Sequence, residues 1–181
     1  MRPDQQTVME SLDPFLDDFY AIVVHGHAVY RRYPAEFLIE HSKRAAAACI
    51  YDHMGEEAER RLTGRNDVRG IEIRGLRLWL VGELAVIRAK KMDEDGRSRN
   101  YPTKQAKAFD RMEQLPGLPP IPVRLTIGYV LDATATEIKR VQIAQPNGKK
   151  IDWCSAILPP GDAVSSARRW FDVTAQERMA V

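Results

Sequence analysis

Leu76-Arg-Leu-Trp-Leu-Val81, then Gly82-Glu83, then Leu84-Ala-Val-Ile-Arg-Ala-Lys-Lys-Met92 is the stretch on which the fold turns. Two apolar-rich runs flank a two-residue spacer, the pattern of a β-hairpin. Gly at the first spacer position suits a type II′ turn, which needs a positive φ there. Such a turn sets the register: Val81 faces Leu84, Leu80 faces Ala85, Trp79 faces Val86, Leu78 faces Ile87 and Arg77 faces Arg88. Side chains alternate across a strand. One face then carries Leu76, Leu78, Leu80, Ala85, Ile87 and Ala89, and the other carries Arg77, Trp79, Val86, Arg88 and Lys90.

Like charges directly opposite each other destabilise a strand pair. Arg77 against Arg88, with Lys90 beyond, therefore calls for water or an anion between them. Trp79 adds a stacking surface, and cations interleaved with aromatics are how single nucleic-acid strands are held. The plainer alternative is a solvated face with Trp79 under a neighbouring helix. Further along the same ladder, Glu72 is expected opposite Asp93 and Arg74 opposite Lys91. Two carboxylates beside a lysine could hold Mg²⁺ for phosphodiester cleavage. Glu72, Lys91 and Asp93 are the catalytic candidates on that reading, and strand-end ion pairs are the alternative. A bulge at Gly75 would change the register.

The 181 residues, 44% hydrophobic and 29% charged, fit one domain. Residues 1–64 read as its helical part, 65–158 as its sheet part and 159–181 as a C-terminal helix and tail. No apolar run approaches the roughly 18 residues of a membrane span, and the N-terminal residues lack a signal-peptide pattern. Cys49 and Cys154 read as free thiols in a reducing, cytoplasmic compartment. The net charge of +2 hides an asymmetry. Residues 1–59 hold 5 Lys and Arg against 11 Asp and Glu, whereas residues 60–111 hold 14 against 7. A basic centre beside acidic helices implies an anionic ligand or charge-matched packing.

Along the chain, residues 1–10 read as a loose leader. Asp13-Pro14 opens a helix to about Arg32, with Asp as N-cap and Pro at the first position. Tyr33-Pro34 breaks it, and a second helix runs to about Leu62, its Ala45–Ala48 run permitting close approach of a neighbour. His25, His27, His41 and His53 lack the spacing to chelate one ion on a helix and read as surface or interface histidines. After the hairpin, Asp95-Gly96 turns a charged loop, and a helix follows from about Thr103 to Leu115, with Phe109 inward and Lys104 and Lys107 outward. Its start, with Asn100 and Thr103, is either an ordinary cap or a phosphate seat. Val123–Asp132, Thr136–Gln145 and Ile151–Leu158 read as strands, with Asn147-Gly148 as a hairpin turn. Asp162 caps a last helix to about Phe171. The expected fold is α+β: an N-terminal helical pair, a largely antiparallel sheet of about five strands (ββ-α-βββ) and a C-terminal helix.

The block Asn100-Tyr-Pro-Thr-Lys-Gln105, with Phe109, Leu115-Pro-Gly-Leu118, Arg124-Leu-Thr-Ile-Gly-Tyr129 and Trp153, resembles small bacterial proteins encoded beside helix-turn-helix–metallopeptidase (ImmA/IrrE-type) regulators in toxin–antitoxin or phage-defence pairs. The resemblance implies an effector held inactive by a cognate antitoxin or regulator, and it transfers no catalytic residue. Together with the basic hairpin face, it makes a nucleic-acid-directed bacterial effector the leading expectation, with Arg77, Trp79, Arg88, Lys90, Lys104 and Lys107 as the contact residues and Mg²⁺ as cofactor if the protein is a nuclease. The alternative is a protein-interaction module that binds a regulator or a second copy of itself. A small-molecule enzyme with a pocket between sheet and helices is a third.

Overall fold

The computed structural model describes residues 3–99, 103–121, 123–161 and 168–174. The chain is α+β, with a mostly antiparallel sheet carrying helices on both faces. The helical part comprises α1 (Gln5–Ser11), a 3₁₀ turn (Asp13–Phe15), α2 (Leu16–Arg31), α3 (Ala35–Glu40) and α4 (Lys43–Leu62). The sheet part runs β1 (Val68–Ile73), β2 (Leu76–Val81), β3 (Ala85–Lys91), α5 (Lys104–Asp110), β4 (Val123–Leu131), β5 (Ile138–Asn147), β6 (Lys150–Ile157) and β7 (Trp170–Asp172). The seven strands lie side by side in chain order. Every neighbouring pair is antiparallel except β3 and β4. A parallel pair needs a crossover, and α5 lies in it.

Several expected elements are corrected. Within the stretch read as a loose leader, residues 4–10 form a cap and helix: Asp4 accepts a hydrogen bond from Thr7 N–H at 2.9 Å as the cap of α1, and Val8 and Met9 are fully buried; residues 1–2 lie outside the described residues. The long second helix is two helices, because the Ser42 side chain accepts from Ala45 N–H and starts α4 afresh, the familiar preference of Ser for a cap over a helix interior. The close crossing of α2 and α4 falls at Gly26, where a Cβ would come within 2.9 Å of Met54 N, and not at the alanine run. Among the described residues there are seven strands, not five. Arg74 and Gly75 both have positive φ (49° and 79°), the backbone of a type I′ hairpin, so the chain turns there and adds β1. The C-terminal helix expected through Phe171 is replaced at its end by β7, paired to β6; the rest of that expectation, residues 162–167, lies outside the described residues.

The central register is also corrected. The β2–β3 loop has three residues, Gly82-Glu83-Leu84, and the pairs are Val81 with Ala85, Leu80 with Val86 and Trp79 with Ile87. A one-residue change moves every side chain of one strand to the other face. Trp79, Val81, Ala85, Ile87 and Ala89 therefore join the core beneath α1, α2 and α4. Leu76, Leu78, Leu80 and Val86 join Phe109, Leu115 and Leu118 in a second core under α5. With both faces covered, the strands are apolar on both sides and alternation carries little information. Among the described residues no helix is long and apolar enough to cross a membrane.

Candidate functional site

The β2–β3 ladder holds for three residue pairs and then stops. Beyond Trp79 and Ile87 the two strands part, and a slit of about 140 Å³ opens between them. Arg74, Gly75 and Leu76 form one wall, Arg88 and Lys90 of β3 the other, and Ser98, Gln105, Ala106 and Asp110 close it from the α5 side. The backbone explains why Lys90 stands here. Lys90 pairs with Gly128 across β3–β4, and a Cβ at Gly128 would collide with the Lys90 carbonyl. Only glycine lets β4 close up on β3 at that point.

Arg88 is 1% exposed. Its guanidinium donates to Thr126 Oγ1 at 3.0 Å, to Ser98 Oγ at 2.9 Å and to Asp110, and lies 4.5 Å from the centre of the Phe109 ring. Burial of an arginine on this scale is tolerated only with its hydrogen bonds met. Arg124, two residues back along β4 from Thr126 and on the same face, donates to the carbonyls of Ala108 and Glu113 and so holds the C-terminal turn of α5, where cations are favoured.

Lys90 is different. Its ammonium lies 4.5 Å from the centre of the Tyr51 ring, on α4 across the sheet, and so reaches through the gap. Among the described residues it makes no hydrogen bond or ion pair. Burial, and secondarily the charge of Arg88, pull its pKa down to about 8, while Asp110 opposes the shift. Burial pushes the Asp110 carboxyl up, and Arg88 opposes that. Among the described residues two cations thus share one half-buried carboxylate, a surplus of positive charge that an anion or water would offset.

Outside the slit the surface is basic. A second hollow of about 210 Å³ shares Ser98 and Asp110 with the slit and is lined by Arg97, Lys149 and Lys150. The Gly148 N–H donates to the Asp110 carbonyl at 2.7 Å and holds that loop beside α5. Arg74, Lys104, Lys107, Lys149 and Lys150 are exposed and form no ion pair among the described residues. Thr103 is an ordinary cap, accepting from Ala106 N–H; Asn100 lies outside the described residues.

Of the residues singled out from the sequence, Arg88 and Lys90 line the slit, while Lys104 and Lys107 stand exposed on α5, whose Gln105, Ala106 and Asp110 face it. Arg77 and Trp79 lie elsewhere. Trp79 is 5% exposed in the helical core, and Arg77 lies against Gly55 of α4, in a broad groove between α4 and β1–β2. The expected alignment of Arg77 with Arg88 fails for the same reason, the one-residue register change. Glu72 pairs with Arg77 and is separated from Asp93 by β2. Asp93 accepts from Asp95 N–H and Arg97 N–H and shapes its own loop. Lys91 has Lys43 and Arg99 as its charged neighbours. Glu72, Lys91 and Asp93 are therefore not assembled into one centre. Among the described residues no group of three His, Cys, Asp or Glu could hold a metal ion.

Sequence reasoning missed Ser98, Asp110, Arg124 and Thr126. Arg124 and Thr126 carried a signal, since they occupy the polar side of the alternation with Val123, Leu125 and Ile127. Asp110 carried none, because its partner is 22 residues away. The histidines are interface groups: Tyr30 pairs with His41, Tyr33 with His53, and His25 lies 3.7 Å from Glu57. Cys49 and Cys154 are free, and burial pushes Cys154 up to about 12. No family model matches the chain, and no curated protein or solved structure proved similar to it.

Proposed function

We propose that the protein binds nucleic acid through its phosphates, with the Arg88–Lys90 slit as the seat of one phosphate-bearing group and the basic rim as the track for its neighbours. One observation carries this reading: a buried surplus of positive charge opens onto a rim of exposed cations that extends past the slit to a second hollow. A small anion needs only the slit. The rim, with Arg74 at the slit, Arg97, Lys149 and Lys150 at the second hollow, and Lys104 and Lys107 exposed on the intervening helix α5, suits a ligand with charges in series. The effector role implied by the resemblance would act through this surface, and a cognate antitoxin would work by covering it. The divalent-metal cleavage reading has no assembled carboxylates to support it.

The test is binding of labelled single- and double-stranded DNA and RNA across a salt series. Lys104→Glu/Lys107→Glu should weaken binding and flatten its salt dependence, each phosphate contact contributing a slope of roughly one in log–log form. Arg77→Glu, in the groove across the sheet, should leave binding unchanged. Loss on Arg77→Glu alone would overturn the assignment of the face.

A second reading, the interaction module, is favoured by α3. It buries no residue, and Ile39 is 83% exposed with Phe37 beside it at 48%. A change in mass on light scattering that Ile39→Asp abolishes would support it.

A further inference from the structure

The slit holds a lysine amine that has no hydrogen-bond or ion-pair partner among the described residues and a carboxylate that Arg88 already engages. The Lys90 ammonium lies over the face of the Tyr51 ring, faces the same small volume as Asp110 and Arg88, and is fixed at its backbone by the close approach of Gly128. A lysine used only for charge would gain by staying solvated at the rim, as Lys104 and Lys107 do. A lysine drawn into a narrow slit beside the buried Arg88 has a larger neutral fraction and is a better nucleophile, in keeping with the downward pull on its pKa.

We propose that Lys90 is an amine nucleophile that forms an imine with an aldehyde borne on a phosphorylated sugar, and this rests on the phosphate-binding reading of the same slit. The ammonium loses a proton to solvent at the slit, since Asp110 is held by Arg88. The free amine attacks the aldehyde carbon. A carbon–nitrogen bond forms while the carbonyl electron pair moves to oxygen, which is protonated to give a carbinolamine. Loss of water then leaves the protonated imine. Ammonium and aldehyde go in, imine and one water come out, and no oxidant or reductant is involved. Two sources supply this chemistry: a strand whose sugar has lost its base and opened to the aldehyde, and a free sugar phosphate. The rim of cations favours the strand.

The experiment is borohydride trapping with the full chain. One arm uses a single-stranded oligonucleotide with an abasic site, one the same strand with a tetrahydrofuran analogue that lacks the aldehyde, and one ribose 5-phosphate. The expected result is a covalent adduct with the abasic strand, mapped to Lys90 by peptide mass and formed roughly tenfold or more faster than any adduct at Lys104 or Lys107. Lys90→Arg and Lys90→Met should abolish it. Binding of the tetrahydrofuran strand reads the phosphate-binding proposal separately: binding without trapping would overturn the imine alone, and absence of both would overturn the two together. Trapping that persists in both Lys90 variants, or that spreads evenly over the exposed lysines, would also overturn it. Trapping of ribose 5-phosphate in preference to the strand would keep the imine and make the small sugar the substrate.

Discussion

Two ionic clusters in this protein look alike on paper and behave oppositely. In the first, Glu57 of α4 is buried at 3% exposure and takes hydrogen bonds from Arg60 and Arg61, with His25 beside it; Arg61 and Arg65 then bridge to Asp18 on α2. In the second, Asp110 is shared by Arg88 and approached by Lys90. Both have more cations than carboxylates. The first keeps its arginines at the surface, where water meets their charge, so the carboxylate gains and its pKa falls to about 2, chiefly through Arg60. The second takes its cations inside. There the carboxylate is pushed up and the lysine down. The first cluster fastens two helices, whereas the second leaves the Lys90 charge without an ion-pair partner among the described residues. Perturbed groups of the second kind are those that mark sites.

The largest way to break this contrast is Asp110→Ala. It leaves Arg88 buried without its carboxylate, and loss of roughly 3–5 kcal/mol is expected in denaturant unfolding. Glu57→Gln should cost less, roughly 2 kcal/mol, because its arginines can fall back on solvent. Its pH signature is specific. Glu57 titrates near 4.5 when unfolded and near 2 when folded, so its contribution is complete above pH 4.5 and is lost as pH falls from there to 2. The stability of the variant should be flatter across that window.

Lys90→Met sharpens the contrast by its sign: removal of a half-buried charge beside another cation should stabilise the fold. The folded pKa of about 8 lies below the ordinary 10.5. Below pH 8 both states are charged and the folded state bears the full burial penalty; between 8 and 10.5 the unfolded state holds more protons, so wild-type stability rises with pH. The variant's gain of about 1–3 kcal/mol at pH 7 should fade by pH 10.5 in thermal melts, while its nucleic-acid binding weakens. A destabilised Lys90→Met would make Lys90 a structural contact of Tyr51 instead. The smallest effect on stability belongs to Lys104→Glu/Lys107→Glu, within about 0.5 kcal/mol of wild type, although it should change binding most visibly.

The sequence read well wherever one physical signal acted alone. The β4 alternation, the Tyr33-Pro34 break, the Thr103 cap and the β5–β6 hairpin region all reappear, the last with loop residues Gly148-Lys149. It read poorly where two signals competed. Gly82-Glu83 pointed to a two-residue turn, and the strands needed three. Because helices cover both faces, an apolar residue fits either side and pattern could not arbitrate. That one residue carried Trp79 away from Arg88 and dissolved the expected aromatic-basic face.

The residues themselves determined that the centre of the chain is basic, that Arg88, Lys90, Lys104 and Lys107 lie within it, and that helices and an antiparallel hairpin surround it. Charge count and local periodicity are properties of neighbours along the chain, and they survive any register. Only the tertiary structure decided which cations share a cavity. The parting of β2 from β3, the arrival of Asp110 on α5 and the glycine at 128 that admits Lys90 each depend on contacts between residues distant in sequence. Burial then converts an ordinary lysine into a perturbed one, because desolvation is set by what packs around a group and not by what precedes it in the chain.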